Sequence, residues 1–277
     1  MLTRRTLVVL SALLPLADLA AHARDKSDLF VLNNHLFIDV SVNGRHVRAL
    51  LDSAAKSSIV DRRFARQIGL VAGRAVRERG NGANARLAEH VTIDVAGLTL
   101  GPLTVAVVDL SHIGRSLLNE PLLVVVGREL FDAARLAIDI ERGRIRVLPR
   151  TSEPDGVALD LHSERGIETF PATVEDRKPV RTVFDLANGL GVVISRAYAN
   201  RVGLLSGTRP TVKEHNGEIA RRIVTLGSLE IGGHRFENVS ATVGPTGSAA
   251  ALNVGVSILR HFFITVDYAQ HRLWLRD

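Results

Sequence analysis

Two apolar runs, 133 positions apart, each end in one aspartate and then small residues. They are Ala49-Leu50-Leu51-Asp52-Ser53-Ala54-Ala55 and Thr182-Val183-Phe184-Asp185-Leu186-Ala187-Asn188. A second apolar segment follows each, Ile59-Val60 and Val192-Val193-Ile194. An apolar run bounded by turn-forming residues reads as a buried strand. One such strand tipped by a carboxylate is ordinary. Two in matching surroundings point to a chain folded as two similar halves that bring both carboxylates together.

Further landmarks keep the same order. Asp61 is placed to cap a helix over 62–68, with Gly69 closing it in the left-handed conformation; Ser195 and Gly203 do the same around 196–202. Val125-Val126-Gly127 answers to Asn253-Val254-Gly255, and Leu98–Gly101 to Leu229–Gly232. Residues 137–145 answer to 264–273 in the same way, each pairing an aspartate with a following hairpin turn. The separations are 134 for Gly69 and Gly203, 131 for Gly101 and Gly232, and 128 for Gly127 and Gly255. Loop insertions and deletions give such drift, and chance alternation would not keep the order. Two repeats of this length are a duplication, not a solenoid. Apolar alternation from Phe37 to Val42, then the hairpin dipeptide Asn43-Gly44, makes strands the main element. The expectation is an all-β chain with short helices, in homologous halves 24–150 and 151–277.

Composition removes several function classes. The chain has no cysteine, which excludes disulfides, thiolate metal sites and cysteine nucleophiles. Residues 1–23 have the layout of an export signal: Arg4-Arg5, the short apolar run Leu7–Leu16, then small residues at Ala21-His22-Ala23. That run is shorter than the roughly 20 residues a bilayer span needs, so the mature chain is expected to carry no integral membrane span and to be periplasmic or extracellular. Without residues 1–23 the chain keeps 33 basic and 28 acidic residues, a net charge of +5. The basic residues are dispersed and few aromatics lie beside them, which argues against nucleic acid as a partner. The ten histidines show no zinc-protease spacing, and no serine sits in a nucleophile-elbow motif.

Two carboxylates about 3 Å apart do not both ionise easily and share one proton. The ionised member takes a proton from a water held between them, and the protonated member donates to a carbonyl oxygen. Water is thereby activated against an amide with no metal, cofactor or covalent intermediate. The residues quoted resemble the retropepsin-like aspartic proteases, in the duplicated two-lobed form also seen in pepsin-like enzymes. In that superfamily each lobe carries apolar-apolar-Asp-Thr/Ser-Gly and later apolar-apolar-Gly.

The resemblance implies two β-barrel lobes with a cleft between them, Asp52 and Asp185 as the catalytic pair, and an extended peptide or protein as substrate. It implies support from Ser53, whose hydroxyl bonds across to the other loop, and from the residues at Ala54, Ala187 and Asn188. One molecule then completes the site. The chain departs from the pattern at Ala54 and Ala187, where the family has Gly, and at Leu186, which lacks the second hydroxyl. An amide hydrogen from Asn188 to Asp185 is expected to compensate in part. The resemblance also places 80–85 and 211–217 near the substrate-covering flap and its counterpart. Two readings stand: an exported aspartic endopeptidase, and a catalytically degenerate module of the same fold that binds extended peptides or envelope proteins.

Overall fold

The computed structural model describes residues 27–77, 84–206, 222–244 and 250–277. The first half contains β1 (Ser27–Leu32), β2 (His35–Val42), β3 (Arg45–Leu51), β4 (Ile59–Asp61), β5 (Ala72–Arg77), β6 (Asn84–Val95), β7 (Leu98–Val108), β8 (Val124–Val126), β9 (Arg135–Asp139) and β10 (Arg144–Leu148). The second contains β11 (Val157–Asp160), β12 (His162–Glu164), β13 (Ile167–Val174), β14 (Val180–Phe184), β15 (Val192–Ser195), β16 (Ile223–Ile231), β17 (His234–Gly244), β18 (Leu252–Val254), β19 (Phe263–Asp267) and β20 (Arg272–Arg276). Short helices follow β4, β8, β15 and β18, at Arg62–Gln67, Arg128–Ala133, Arg196–Arg201 and Val256–Leu259.

Each half closes the same barrel. In the first, the order β2-β3-β8-β4-β7-β6 returns to β2; in the second, β13-β14-β18-β15-β17-β16 returns to β13. The pairings match in direction as well. The strand bearing the aspartate lies parallel to the strand before the glycine, β3 to β8 and β14 to β18. β4 and β15 pair parallel to β7 and β17. Closure leaves the barrels without free edges.

A six-stranded antiparallel sheet, β1-β10-β9-β19-β20-β11, joins the halves. At its centre Ile138 faces Ile264, Ala137 faces Thr265, and Leu136 faces Val266. The 128-residue offset makes Leu136 equivalent to Ile264 and Ile138 to Val266. The pairing is therefore self-complementary about the Ala137–Thr265 pair, as a two-fold interface requires. The fused halves reproduce the contact of a symmetric dimer.

Local chemistry sets the elements. Asn43 and Gly44 both take positive φ, 46° and 83°, and turn β2 into β3. Asp61 caps its helix by accepting from the N–H groups of Arg63 and Phe64, and Ser195 caps the equivalent helix at Tyr198. Gly69 and Gly203 end these helices at φ 71° and 79°. One expected correspondence does not hold. The β16–β17 turn at Gly232-Gly233 (φ 57°, 83°) corresponds to the β6–β7 turn at Ala96-Gly97 (φ 51°, 77°), whereas Gly101 lies inside β7. Leu-x-Leu-Gly after one turn and Leu-x-Ile-Gly before the other have the same alternation, so pattern alone misaligned them.

Candidate active site

β3 and β14 deliver Asp52 and Asp185 in the same way. The Asp52 N–H bonds Val126 O at 2.9 Å, and the Asp185 N–H bonds Val254 O at 3.1 Å. The chain then turns sharply, so the loop's own amides point back at the carboxylate. Asp52 Oδ1 accepts from the N–H groups of Ala54 and Ala55, both at 2.9 Å. Asp185 Oδ1 accepts from Ala187 N–H at 3.0 Å. Neither Ala54 nor Ala187 sits at positive φ, so the methyl that replaces glycine causes no backbone strain. The glycines that do matter are Gly127 and Gly255. A Cβ on Gly127 would lie 2.7 Å from the backbone of Ser57, and one on Gly255 would lie 2.0 Å from Asn188 O.

The two loops are tied together through Ser53. Its Oγ donates to Phe184 O at 2.8 Å and accepts from Leu186 N–H at 2.9 Å. The reverse tie is missing because Leu186 has no hydroxyl. Its side chain is instead fully buried in the main core, where apolar burial replaces a hydrogen bond. Tyr268, just after β19, adds a second brace by donating its hydroxyl to Ser53 O at 2.8 Å. Its ring stacks on Phe131 at 5.0 Å. Arg128 lies over that ring and pairs with the buried Glu168 at 2.9 Å.

Asn188 gives Asp185 the expected amide hydrogen from its backbone N–H, while its side chain turns elsewhere. It donates to Gly191 O at 3.2 Å and to Asn253 Oδ1 at 2.6 Å. The side-chain amide that reaches Asp185 belongs to Asn253, whose Nδ2 donates to Oδ2 at 2.6 Å. Asn253 and Val183 are register partners in the parallel β14–β18 pair, which aims the amide toward the next residue on that face, Asp185. The departure was visible in the sequence: Asn253 stands where the first half has Val125.

His35, like Tyr268, is a residue that sequence reasoning missed. Its ring, at the start of β2, packs so closely on Gly189 that a Cβ there would lie 2.4 Å from Cε1. Its Nδ1–H donates to Asn33 O at 2.7 Å. The expected flap segment around 80–85 lies largely outside the described residues, as do 211–217 and the signal at 1–23.

Electrostatics couple the two acids. Burial first, and then the facing Asp185 carboxylate, push Asp52 up to about 7, against the Ala54 and Ala55 amides. Burial also pushes Asp185 up. The Asn253 amide opposes this most, followed by the Ala187 and Asn188 N–H groups and His35. These are the conditions under which two carboxyls hold one proton between them. Between its ordinary value of 3.8 and about 7, Asp52 binds a proton in the folded chain that the unfolded chain has lost. Its contribution to folding is therefore lost as pH rises through that window. Thermal unfolding from pH 4 to 8 is expected to show a falling Tm, and Asp52→Asn a flatter curve.

A family model described as aspartyl protease matches residues 38–130 and 170–258. The chain belongs to the aspartyl protease family. The two matched regions coincide with the two barrels, and each contains one member of the acid pair, Asp52 or Asp185, with the capped helix that follows and the Gly127 or Gly255 contact. A search of curated proteins gives no match. In this member of the family, no group of three or more His, Cys, Asp or Glu side chains among the described residues is arranged to hold a metal ion. No helix among the described residues is long and apolar enough to cross a membrane.

Proposed function

We propose that the chain is an exported aspartic endopeptidase whose water is activated between Asp52 and Asp185. The observation that carries this is the matched pair of acids, one from each barrel, half-buried, mutually repelling and held by equivalent loops. A peptide lies extended across the cleft. Asp185 takes a proton from the water, whose oxygen attacks the carbonyl carbon, and Asp52 gives its proton to the carbonyl oxygen. In the second step Asp185 returns the proton to the amide nitrogen, the C–N bond breaks, and Asp52 recovers its proton from the diol. Ser53 and Tyr268 hold the loops while charge moves. The layout of residues 1–23 supports export, and because both acids come from one chain a monomer suffices.

The second reading, a cleft that binds peptides without cutting them, draws on Leu186 and its missing hydroxyl. A mixed peptide library incubated with residues 24–277 from pH 3 to 8, with products read by mass spectrometry, decides between them. Hydrolysis is expected at mildly acidic pH and is expected to decline as pH passes about 7, where Asp52 loses its proton. Peptide binding with no new termini at any pH would leave only the binding module.

A further inference from the structure

The hydrogen bonds behind Asp185 form a chain whose direction is fixed at its far end. Leu190 N–H, which only donates, bonds Asn188 Oδ1 at 2.8 Å. Gly191 O, which only accepts, takes a hydrogen from Asn188 Nδ2. These two backbone groups settle which end of the Asn188 amide is which, because an amide's orientation is read from its hydrogen-bond partners. The other Nδ2 hydrogen then meets Asn253 through its Oδ1, and Asn253 is left presenting Nδ2 to Asp185 Oδ2. Oδ2 must accept. With Oδ1 already taking the Ala187 N–H, both oxygens of Asp185 face donors.

Asp52 is placed differently. Its two backbone donors both converge on Oδ1, and Oδ2 has no hydrogen-bond partner among the described residues. The residue equivalent to Asn253 is Val125, which is buried and apolar. The relay therefore exists on one side of the duplication only.

We infer that Asn253, oriented by Asn188, is a positioning residue that keeps Asp185 as the ionised member of the pair and leaves the shared proton on Asp52. The inference rests on the dyad reading above and gives each acid its resting role. Asp185 is the base that deprotonates water, and Asp52 is the acid that protonates the carbonyl oxygen. Of the titratable groups around the pair, Asp52 faces Asp185 from the opposite loop. The His35 imidazole approaches Asp185 from β2, and a positive charge there favours the same ionised form. The Tyr268 phenol stands behind Asp52 and stays protonated through burial. The neighbours from β18 and its following helix, Asn253, Val254 and Val256, are neutral.

An unfolding cycle tests the relay without any activity. At pH 6, Asn253→Val is expected to lower Tm in the parent, where it removes a bond to a carboxylate. In Asp185→Asn the introduced amide must turn a donor toward either Asn253 Nδ2 or Ala187 N–H, so Asn253→Val is expected to raise Tm there. In Asp52→Asn the change is expected to lower Tm, as in the parent. His35→Asn is expected to leave all of these signs in place, since it removes the imidazole and not the relay. The same sign of effect in the parent and in Asp185→Asn overturns the inference.

The pH profile of kcat/KM gives a second readout. A hydrogen bond to a charged group is worth about 1.5–3 kcal/mol and one pH unit about 1.4 kcal/mol, so Asn253→Val should move the acid limb up by about one to two units. An unmoved limb with active enzyme also overturns the inference. If no peptide is cleaved at all, the proposed function fails while the unfolding cycle still decides the relay.

Discussion

Asp185→Asn is expected to lower kcat/KM for a cleaved peptide by about 10⁴-fold, and Asp52→Asn by about 10²- to 10³-fold, the span that general acid–base groups cover. The inequality follows from the resting roles. An amide at position 185 accepts no proton from water, so the nucleophile is never formed. At position 52 the amide oxygen takes the place of Oδ1 under the Ala54 and Ala55 N–H groups. Its NH₂ then falls where the proton-bearing Oδ2 stood. That group still polarises a substrate carbonyl but does not transfer a proton, so part of the electrostatic stabilisation survives. The pH profiles separate the variants further. Asp52→Asn is expected to lose the decline near pH 7, because the group that sets it no longer titrates. Steady-state kinetics on one peptide, with circular dichroism to check folding, measures both effects. Equal losses, or a greater loss in Asp52→Asn, would reverse the assignment of acid and base.

How far the sequence foretold this site depends on what held each residue in place. The halves were legible because each must close the same barrel. That closure demands an apolar strand before the aspartate, a capped helix after the next strand, and a glycine where Ser57 or Asn188 crosses. Such demands repeat at nearly fixed spacing. What the sequence hid is where the copies have diverged. Asn253 stands openly opposite Val125 in the sequence, but its bond to Asp185 appears only once β14 and β18 are paired. His35 acts through a contact with Gly189 more than 150 positions away. Tyr268 carries no motif, and its partner is a carbonyl that any residue at position 53 would offer. Pattern finds what the two halves share, and the asymmetry that separates acid from base lies in what they do not share.

The same asymmetry predicts a stability effect at the centre of the joining sheet. Asp139 and Asp267 are equivalent, yet Asp267→Asn is expected to cost about 3–5 kcal/mol and Asp139→Asn less than about 1 kcal/mol. Continuing the β9–β19 register one step past Leu136–Val266 sets Arg135 opposite Asp267, just as Asp139 is opposite Phe263. Asp267 is fully buried, and its Oδ2 accepts from Arg135 Nε at 3.3 Å and Arg150 Nε at 3.1 Å. Arg135 is itself only 3% exposed, held under Trp274 and bonded to Ser152 O and Gln270 Oε1.

Neutralising Asp267 leaves that guanidinium charged in a place water does not reach, and its remaining partners carry no compensating charge. At the other end of the strand pair, Asp139 bonds Arg142, which is largely in solvent, and Phe263 takes the place of the buried arginine. For a chain of this size, 3–5 kcal/mol corresponds to a fall in Tm on the order of 10 °C. Thermal and urea unfolding of the two single variants measures the contrast. Arg135→Met combined with Asp267→Asn should recover part of the loss, because the charge left without a partner is then gone. Equal costs at positions 139 and 267 would mean that the buried ion pair does not fasten one half to the other.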